Sequence, residues 1–309
     1  MKKLQKKVAL MKKMGMFRRD DTRFTVKRAS TGEELENAYR LVHDMFVEKH
    51  YIDEQEGGIR LRVLEAFPEM ATFVCEDDGK TVAVMSVVVD SADMGLPSDA
   101  GFKQELDELR SQKRRVCEFT NLAVDGRYWR SNAFTALTQA CYAQAMAWGC
   151  DDIFIAISPG HASFFEEVLG FDHHGDERNY SEEKEDIVQG KRLNLRTIRP
   201  RWREMDRLLE DQAFIHDYYC ESNPYHSRIA DWARAARSEF LKIETLNHLF
   251  VECSDFFSHC NDVELQAVIQ RWGSRLFNQV YYGIRNTEAI GGLELVAPPE
   301  PKLAKVASA

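Results

Sequence analysis

No stretch of this 309-residue chain approaches the ~18 consecutive apolar residues that a membrane-spanning helix requires. The N-terminus also lacks a secretory signal, because Lys12 and Lys13 interrupt any apolar core. Cysteine occurs seven times and never as CxxC. An odd count without a signal points to reduced thiols, mostly core residues, and to a cytoplasmic protein. The spacing of His248, Cys253, His259 and Cys260 follows no zinc pattern, so no metal is expected. A basic stripe interleaved with aromatics is missing too, and with a net charge of −9 this argues against nucleic acid as a partner.

What is present is the composition of a soluble globular protein, 44% hydrophobic and 29% charged, long enough for one large domain or two ordinary ones. The charge is uneven. Residues 1–28 hold eleven Lys/Arg against Asp20 and Asp21, so the remainder is strongly acidic. Leu4, Val8 and Met11 fall at helical spacing among lysines. Two readings stand: a basic amphipathic helix for an anionic membrane surface or an acidic protein, or a solvated tail.

Hydrophobic periodicity then orders the chain. Thr31 caps a predicted helix over 33–49 whose apolar face is Leu35, Tyr39, Val42 and Phe46. Strands are predicted at 71–77 and 80–90 around an Asp78-Gly79 hairpin, at 115–125 and at 151–158. Helices are predicted for FKQELDELRSQ, 132–148 and ASFFEEVLGF, with two more strands around 173–180 and 188–198. This order implies an α/β fold, a mixed β-sheet sandwiched by helices, followed by an α-helical C-terminal region. The expected partition is a basic tail over 1–23, the α/β domain over 24–200 with a boundary at Arg199-Pro200-Arg201, a helical domain over 201–285, and a disordered tail over 286–309.

The strand–loop–helix unit 115–148 carries the chemistry. A loop feeding a helix N-terminus makes an anion site, and Arg127, Arg130, Ser131 and Ala133 in DGRYWRSNAF suit a phosphate. In order, AYRLVHDMFVEKHYI (38–52), GLPSDAGFKQELDELR (95–110), RVCEFTNLAVD (115–125), ISPGHASFFEEVLGF (157–171) and HHGDERNY (173–180) resemble the long-chain N-acyl amino acid synthases, the FeeM-like branch of the GNAT N-acyltransferase fold, related to the acyl-homoserine-lactone synthases. The resemblance implies transfer of a fatty acyl group from acyl carrier protein, or from acyl-CoA, to the α-amine of an amino acid, with no tightly bound cofactor. It implies Glu118 as the functional carboxylate, and physically an ammonium must lose a proton before it attacks a thioester. The other reading of Glu118 is a structural charge paired with Arg115. His161 is either a donor-orienting or proton-accepting group, or a helix-start packing residue. The resemblance also implies donor contacts at Leu122, Ala123, Val124, Asn132, Phe134 and Ser158, beside the loop residues above, and substrate contacts at Phe46, Asn121 and Phe165.

The sequence departs from the family pattern in four places. The phosphate loop has lost its glycines in Arg130-Ser131-Asn132-Ala133-Phe134, Asn121 stands where relatives carry Arg, Phe165 stands where a Tyr is usual, and Ser158-Pro159-Gly160-His161 stands where relatives tend to have Asn-Pro-Arg-His, keeping only the Pro and His161. A pantetheine thiolate leaves readily at neutral pH, with a thiol pKa near ~8.5, so the missing Tyr hydroxyl bears less on carrier-linked acyl transfer than on acetyl transfer. Competing expectations are an acetyl-CoA-dependent acetyltransferase and a lapsed acyl-binding scaffold acting through its helical C-terminal region. A homoserine-lactone synthase fits least, since Val42 occupies the place of their Arg.

Overall fold

The computed structural model describes residues 2–19, 21–180, 187–209 and 214–283. The expected disordered tail over 286–309 lies outside the described residues. At the centre is one mixed sheet in the order β1-β2-β3-β4-β5-β8-β6, with β7 also on β8. Its strands are β1 (Phe24–Arg28), β2 (Ala71–Asp77), β3 (Lys80–Val89), β4 (Val116–Val124), β5 (Asp152–Ile157), β6 (Asp172–His173), β7 (Arg178–Asn179) and β8 (Ile187–Asn194). The β2–β3 hairpin turns on Asp78 and Gly79, both at positive φ (52° and 75°), as a two-residue loop between right-twisted strands requires. Among the described residues only β4 and β5 pair in parallel, joined through α4 (Asn132–Ala147).

Helices cover both faces. One face buries α4, α5 (Pro159–Glu167) and α6 (Ile198–Leu208) against Phe73, Met85, Cys117 and Ile153. The other buries α2 (Gly32–Glu48) and α3 (Asp99–Ser111) against Val74, Val84, Val88 and Val116. Helix α2 starts where its sequence directs. The Thr31 hydroxyl accepts the Glu34 N–H while the Glu34 carboxylate accepts the Thr31 N–H, a closed capping box.

The structure corrects several expectations. The basic N-terminus is not a free tail: α1 (Lys2–Lys13) buries Val8, and Lys7 Nζ donates to Glu167 Oε2 at 3.0 Å on α5. The turn after it buries Met16 and Phe17, the Phe17 ring lying 5.1 Å from Phe214. The apolar positions 4, 8 and 11 therefore serve the core, while the lysines around them stay near solvent. Arg199-Pro200-Arg201 is no boundary but the first turn of α6, where a proline costs no intrahelical hydrogen bond. The strand expected over 173–180 is two separate two-residue strands, and β8 stops at Asn194.

Nor do the C-terminal helices keep a core of their own. Helix α6 and the π-turn Asp217–Glu221 join the α4 face through Trp202, Tyr218 and Tyr219. Helix α7 (Ile229–Phe240) lies on edge strand β1, with Ile229 in one core and Phe240 in the other. It thereby covers an otherwise open sheet edge. Helices α8 (Ile243–Asn247), α9 (Phe256–His259), α10 (Asp262–Trp272) and α11 (Ser274–Tyr281) pack on the α2 face. Gly273, at φ 82°, breaks α10 from α11. Trp272 is buried and donates its indole N–H to the Ala66 carbonyl at 2.7 Å.

This shared core has a measurable consequence. Trp272→Ala is expected to cost about 3–5 kcal/mol, as for other buried aromatic truncations. In denaturant titrations, sheet and C-terminal helices should unfold in one transition; two separated transitions would show that the helices are an independent unit.

Candidate active site

Glu118 and Asn121 are three residues apart on β4, and in a regular strand such a pair points to opposite faces. A bulge changes this. Val84 pairs with Ala123 but Ser86 pairs with Thr120, so β4 holds one residue more than β3 across that step. Asn121 absorbs it at φ 54°, the left-handed region that Asn tolerates better than most residues. The result puts Asn121 on the α2 face with Glu118.

There Asn121 is held from every side. Its Nδ2 donates to Glu65 Oε1 (2.9 Å) and Ser86 Oγ (3.3 Å). Its Oδ1 accepts from Arg60 Nη1 (2.9 Å) and Arg62 Nη2 (3.2 Å). Arg62 in turn grips the fully buried Glu65 carboxylate at 2.7 Å. Ser86, Thr72 and Tyr39 continue the network to α2 through contacts of 2.9 and 3.0 Å. Arg62 and Arg60 hold Glu65 below its usual range against the opposing effect of burial. Position 121 thus carries no charge of its own, yet two guanidinium groups from the segment before β2 meet at it.

Glu118 is 2% exposed and accepts the Ser98 N–H at 2.9 Å. Arg115 is exposed and is not its partner; its backbone N–H goes to Asp151. Ser98 is placed by a clamp: Arg110 binds Asp90 (2.7 Å) and Asp99 (2.6 Å), and Asp99 also accepts the Leu96 N–H (2.7 Å). Burial pushes the Glu118 carboxyl up to about 7, while the Ser98 hydrogen bond and the Arg62 charge act the other way. Tyr180 also faces Glu118, Arg60 and Arg62, and burial raises its phenol. The Ser98 hydroxyl is buried beside Glu118 and Tyr180.

Glu118 also marks a fork. The β4–β5 ladder runs Val116–Asp152, Cys117–Ile153, Glu118–Phe154 and then stops, while β5 continues on β8 as far as Ile157. The β5-facing edge of β4 beyond Glu118 has no ladder partner, so its backbone N–H groups are free to meet a thioester oxygen or an amide-rich pantetheine arm.

The other expected site residues fall into separate groups. Leu122, Ala123 and Val124 lie on the β4 arm of the fork, whose β5-facing edge has no ladder partner, Ala123 and Val124 being buried. Ser158 and His161 lie at the start of α5, across the fork; His161 is exposed and its ring is 5.4 Å from Trp129 in the loop after β4. His161 shares no partner with Glu118 among the described residues. At the start of α4, the Ser131 hydroxyl accepts the Ala133 N–H, and Asn132 exchanges hydrogen bonds with the Arg18 backbone. Arg127 is paired with Asp125 at 2.6 Å, and Arg130 is exposed at φ 67°. Within the anion site expected there, the Ala133 N–H and the Arg127 charge are thus already partnered. Phe165 is buried in an aromatic cluster with Phe134 (6.3 Å), Phe164 and Phe171 (5.5 Å each), on the face opposite Glu118. Phe46 instead lies beside the site, its ring under the Arg60 guanidinium at 5.1 Å.

Sequence reasoning missed Arg60, Arg62, Glu65, Ser98 and Tyr180. A signal existed for three of them: in IRLRVLEAF, charges interrupt an apolar run, and charges in such a setting must find partners when buried. Of the four candidate metal ligands, His259 pairs with Asp255 and Cys260 bonds to the Phe256 carbonyl. His248 and Cys253 gather instead with Glu36, their ligand atoms within 4.8 Å, and His248 already hydrogen-bonds Glu36 at 2.7 Å.

Two changes test this construction. Glu65→Gln leaves Arg62 without its charge partner and is expected to cost about 3 kcal/mol of stability. Glu118→Gln should act in a pH-dependent way. The folded carboxyl holds its proton up to about 7, above its unfolded value, so the native state binds more protons in between and parent stability falls as pH rises through that window. The variant should match the parent near pH 4.5 and exceed it above pH 7, by up to about 3 kcal/mol. A gap independent of pH would refute the raised value.

Against this geometry the comparisons are informative. The family model for the N-acyl amino acid synthase FeeM matches residues 37–189. Among solved structures, FeeM, an N-acyl amino acid synthase from uncultured soil microbes, aligns with TM-score 0.50 and 22% identity over 58% of this chain and 93% of that one. The CoA-dependent acyl-homoserine lactone synthase BjaI aligns with TM-score 0.41 and 14% identity over 65% of this chain and 99% of that one. A GNAT-family acetyltransferase from Streptococcus pneumoniae aligns with TM-score 0.38 and 15% identity, over 55% and 98% of the two chains. No curated protein matches the sequence. No helix among the described residues is long and apolar enough to cross a membrane. The matched span runs from α2 into β8 and encloses Glu118, the bulge and the fork: residues 37–189 are similar to the FeeM family, and the chain is an acyltransferase of GNAT fold.

Proposed function

We propose that the enzyme joins a fatty acyl group, carried as a thioester on acyl carrier protein or CoA, to the α-amine of an amino acid. The observation that carries this reading is Glu118: a buried carboxyl on β4 at the mouth of the fork, tuned by burial to about 7. A base poised near the working pH can take a proton from an ammonium without holding it too tightly.

The steps follow from the groups present. Glu118, directly or through one water, takes a proton from the acceptor's ammonium. The freed amine attacks the thioester carbonyl, forming the C–N bond, and the negative charge moves to the carbonyl oxygen. Unpaired N–H groups on β4 between residues 119 and 124 are suitable donors to that oxyanion. The intermediate collapses, the C–S bond breaks, and the sulfur departs as a thiolate. The amide nitrogen gives up its second proton, which the thiolate can take. No phenol is needed at position 165, where Phe165 serves the aromatic core.

The donor enters from the side of the fork opposite α2, past Trp129 and His161. Arg130, exposed next to Trp129 in the loop after β4, adds positive charge there. This suits an acidic carrier protein, or an anionic membrane surface in passing.

The deciding experiment is mass spectrometry of lipid extracts from bacteria expressing the chain, against cells expressing Glu118→Gln. N-acyl amino acids absent from the control are expected; identical extracts would overturn the reading. With purified enzyme, kcat/KM should rise with pH to a plateau above about 7, and Glu118→Gln should lower it at least ~100-fold.

A further inference from the structure

Most arginines near the site are already neutralised. Arg62 is bound to Glu65, and Arg110 to Asp90 and Asp99. Arg60 is the exception. It makes a single side-chain hydrogen bond, Nη1 to the neutral Asn121 Oδ1 at 2.9 Å, and has no ion-pair partner among the described residues. Yet it is half-buried and held in place. Its backbone N–H donates to the Tyr39 carbonyl at 3.3 Å, Asn121 fixes one end of the guanidinium, and the Phe46 ring supports its plane at 5.1 Å. A guanidinium fixed at one corner, with the rest of its fork unused, is arranged to receive a planar anion.

The charge balance points the same way. Arg60 and Arg62 face one permanent anion, Glu65, so the cluster has one positive charge in excess. Glu118 offsets it only while ionised. Once Glu118 has accepted the acceptor's proton, the excess stands uncompensated, and that is the moment the amine attacks. An acceptor whose anion sits one carbon from its amine cancels the charge when it matters. The donor's phosphate does not serve here, because α4 lies on the other face of the sheet.

We infer that the Arg60 guanidinium is the subsite for the acceptor's carboxylate, so that this enzyme selects α-amino acids over amines that lack one. The inference rests on the acyl-to-amine reading above. Asn121 is then a positioning residue, orienting Arg60 and spacing it from Arg62.

The test compares an amino acid with its own carboxamide as acceptors, using the full-length chain and whichever thioester donor supports turnover. The parent should prefer the amino acid. Arg60→Gln, which can still donate to Asn121, should raise KM for the amino acid by about 10- to 100-fold, the loss expected for one charge-assisted hydrogen-bond pair. Its kcat should change little, and its kinetics with the carboxamide should match the parent's. Arg60→Lys keeps the charge without the fork and should fall between. Equal effects on both acceptors, or none, in either variant would overturn the subsite while leaving acyl transfer to amino acids standing. If the parent acylates only amines without a carboxylate, or no amine at all, the proposed function fails and this inference with it.

Discussion

One extra residue in β4 governs the site. Without the bulge at Asn121, strand alternation would send that side chain to the α4 face, away from Glu118. With it, Glu118, Asn121, Ser86 and Thr72 share one face, and Arg60 and Arg62 have something to meet. A non-glycine residue at φ 54° inside a strand is unfavourable by itself. It persists because hydrogen bonds at both ends of the Asn121 amide, to Glu65, Ser86, Arg60 and Arg62, over-determine it. The bulge and the buried charges are therefore one device: the network holds the bulge, and the bulge aims the residue that joins the network.

The same region holds the proposed base and the opening beside it. Glu118 is the last residue of the parallel ladder before β4 and β5 part. Its carboxyl is buried on the α2 side, and the free edge of β4 begins immediately after it. In the proposed reaction, acceptor and donor would thus be separated by the thickness of one strand. Charges cluster on the α2 side, around Arg60, Arg62 and Glu65, whereas aromatic packing dominates the other, around Phe134, Phe164 and Phe165. Amines and carboxylates suit the first environment, and a thioester arm with an apolar chain suits the second.

The chain beyond α6 is part of this scaffold. The Trp272 indole bonds to the Ala66 carbonyl, one residue after Glu65, so the C-terminal helices brace the segment that carries Arg60, Arg62 and Glu65. Arg271 adds to the brace, lying 3.7 Å over the Phe67 ring while paired with Asp93 at 2.7 Å. From the other end, α1 and its following turn seal the α4 face. Both ends of the described chain thus support the central sheet.

The sequence by itself determined the local elements and the fold class. Thr31 with Glu34, Asp78-Gly79, and the apolar run Ile153–Ile157 specify a helix start, a hairpin and a central strand through short-range physics alone. Glu118 was legible as a candidate base only through the resemblance of its strand to the N-acyl amino acid synthases, and its burial on β4 could not be read from the chain. Tertiary structure decided the rest. Whether Leu4, Val8 and Met11 meet a membrane or a core depends on what surface is nearby, and here it is α5 and the sheet. Whether a strand residue faces one way or the other depends on its partner strand, and the β3–β4 register, not the spacing of Glu118 and Asn121, put them together. Arg60 and Arg62, far from Asn121 in sequence, became site residues only when the fold carried them there, since long-range electrostatic partners leave no periodic trace in a chain.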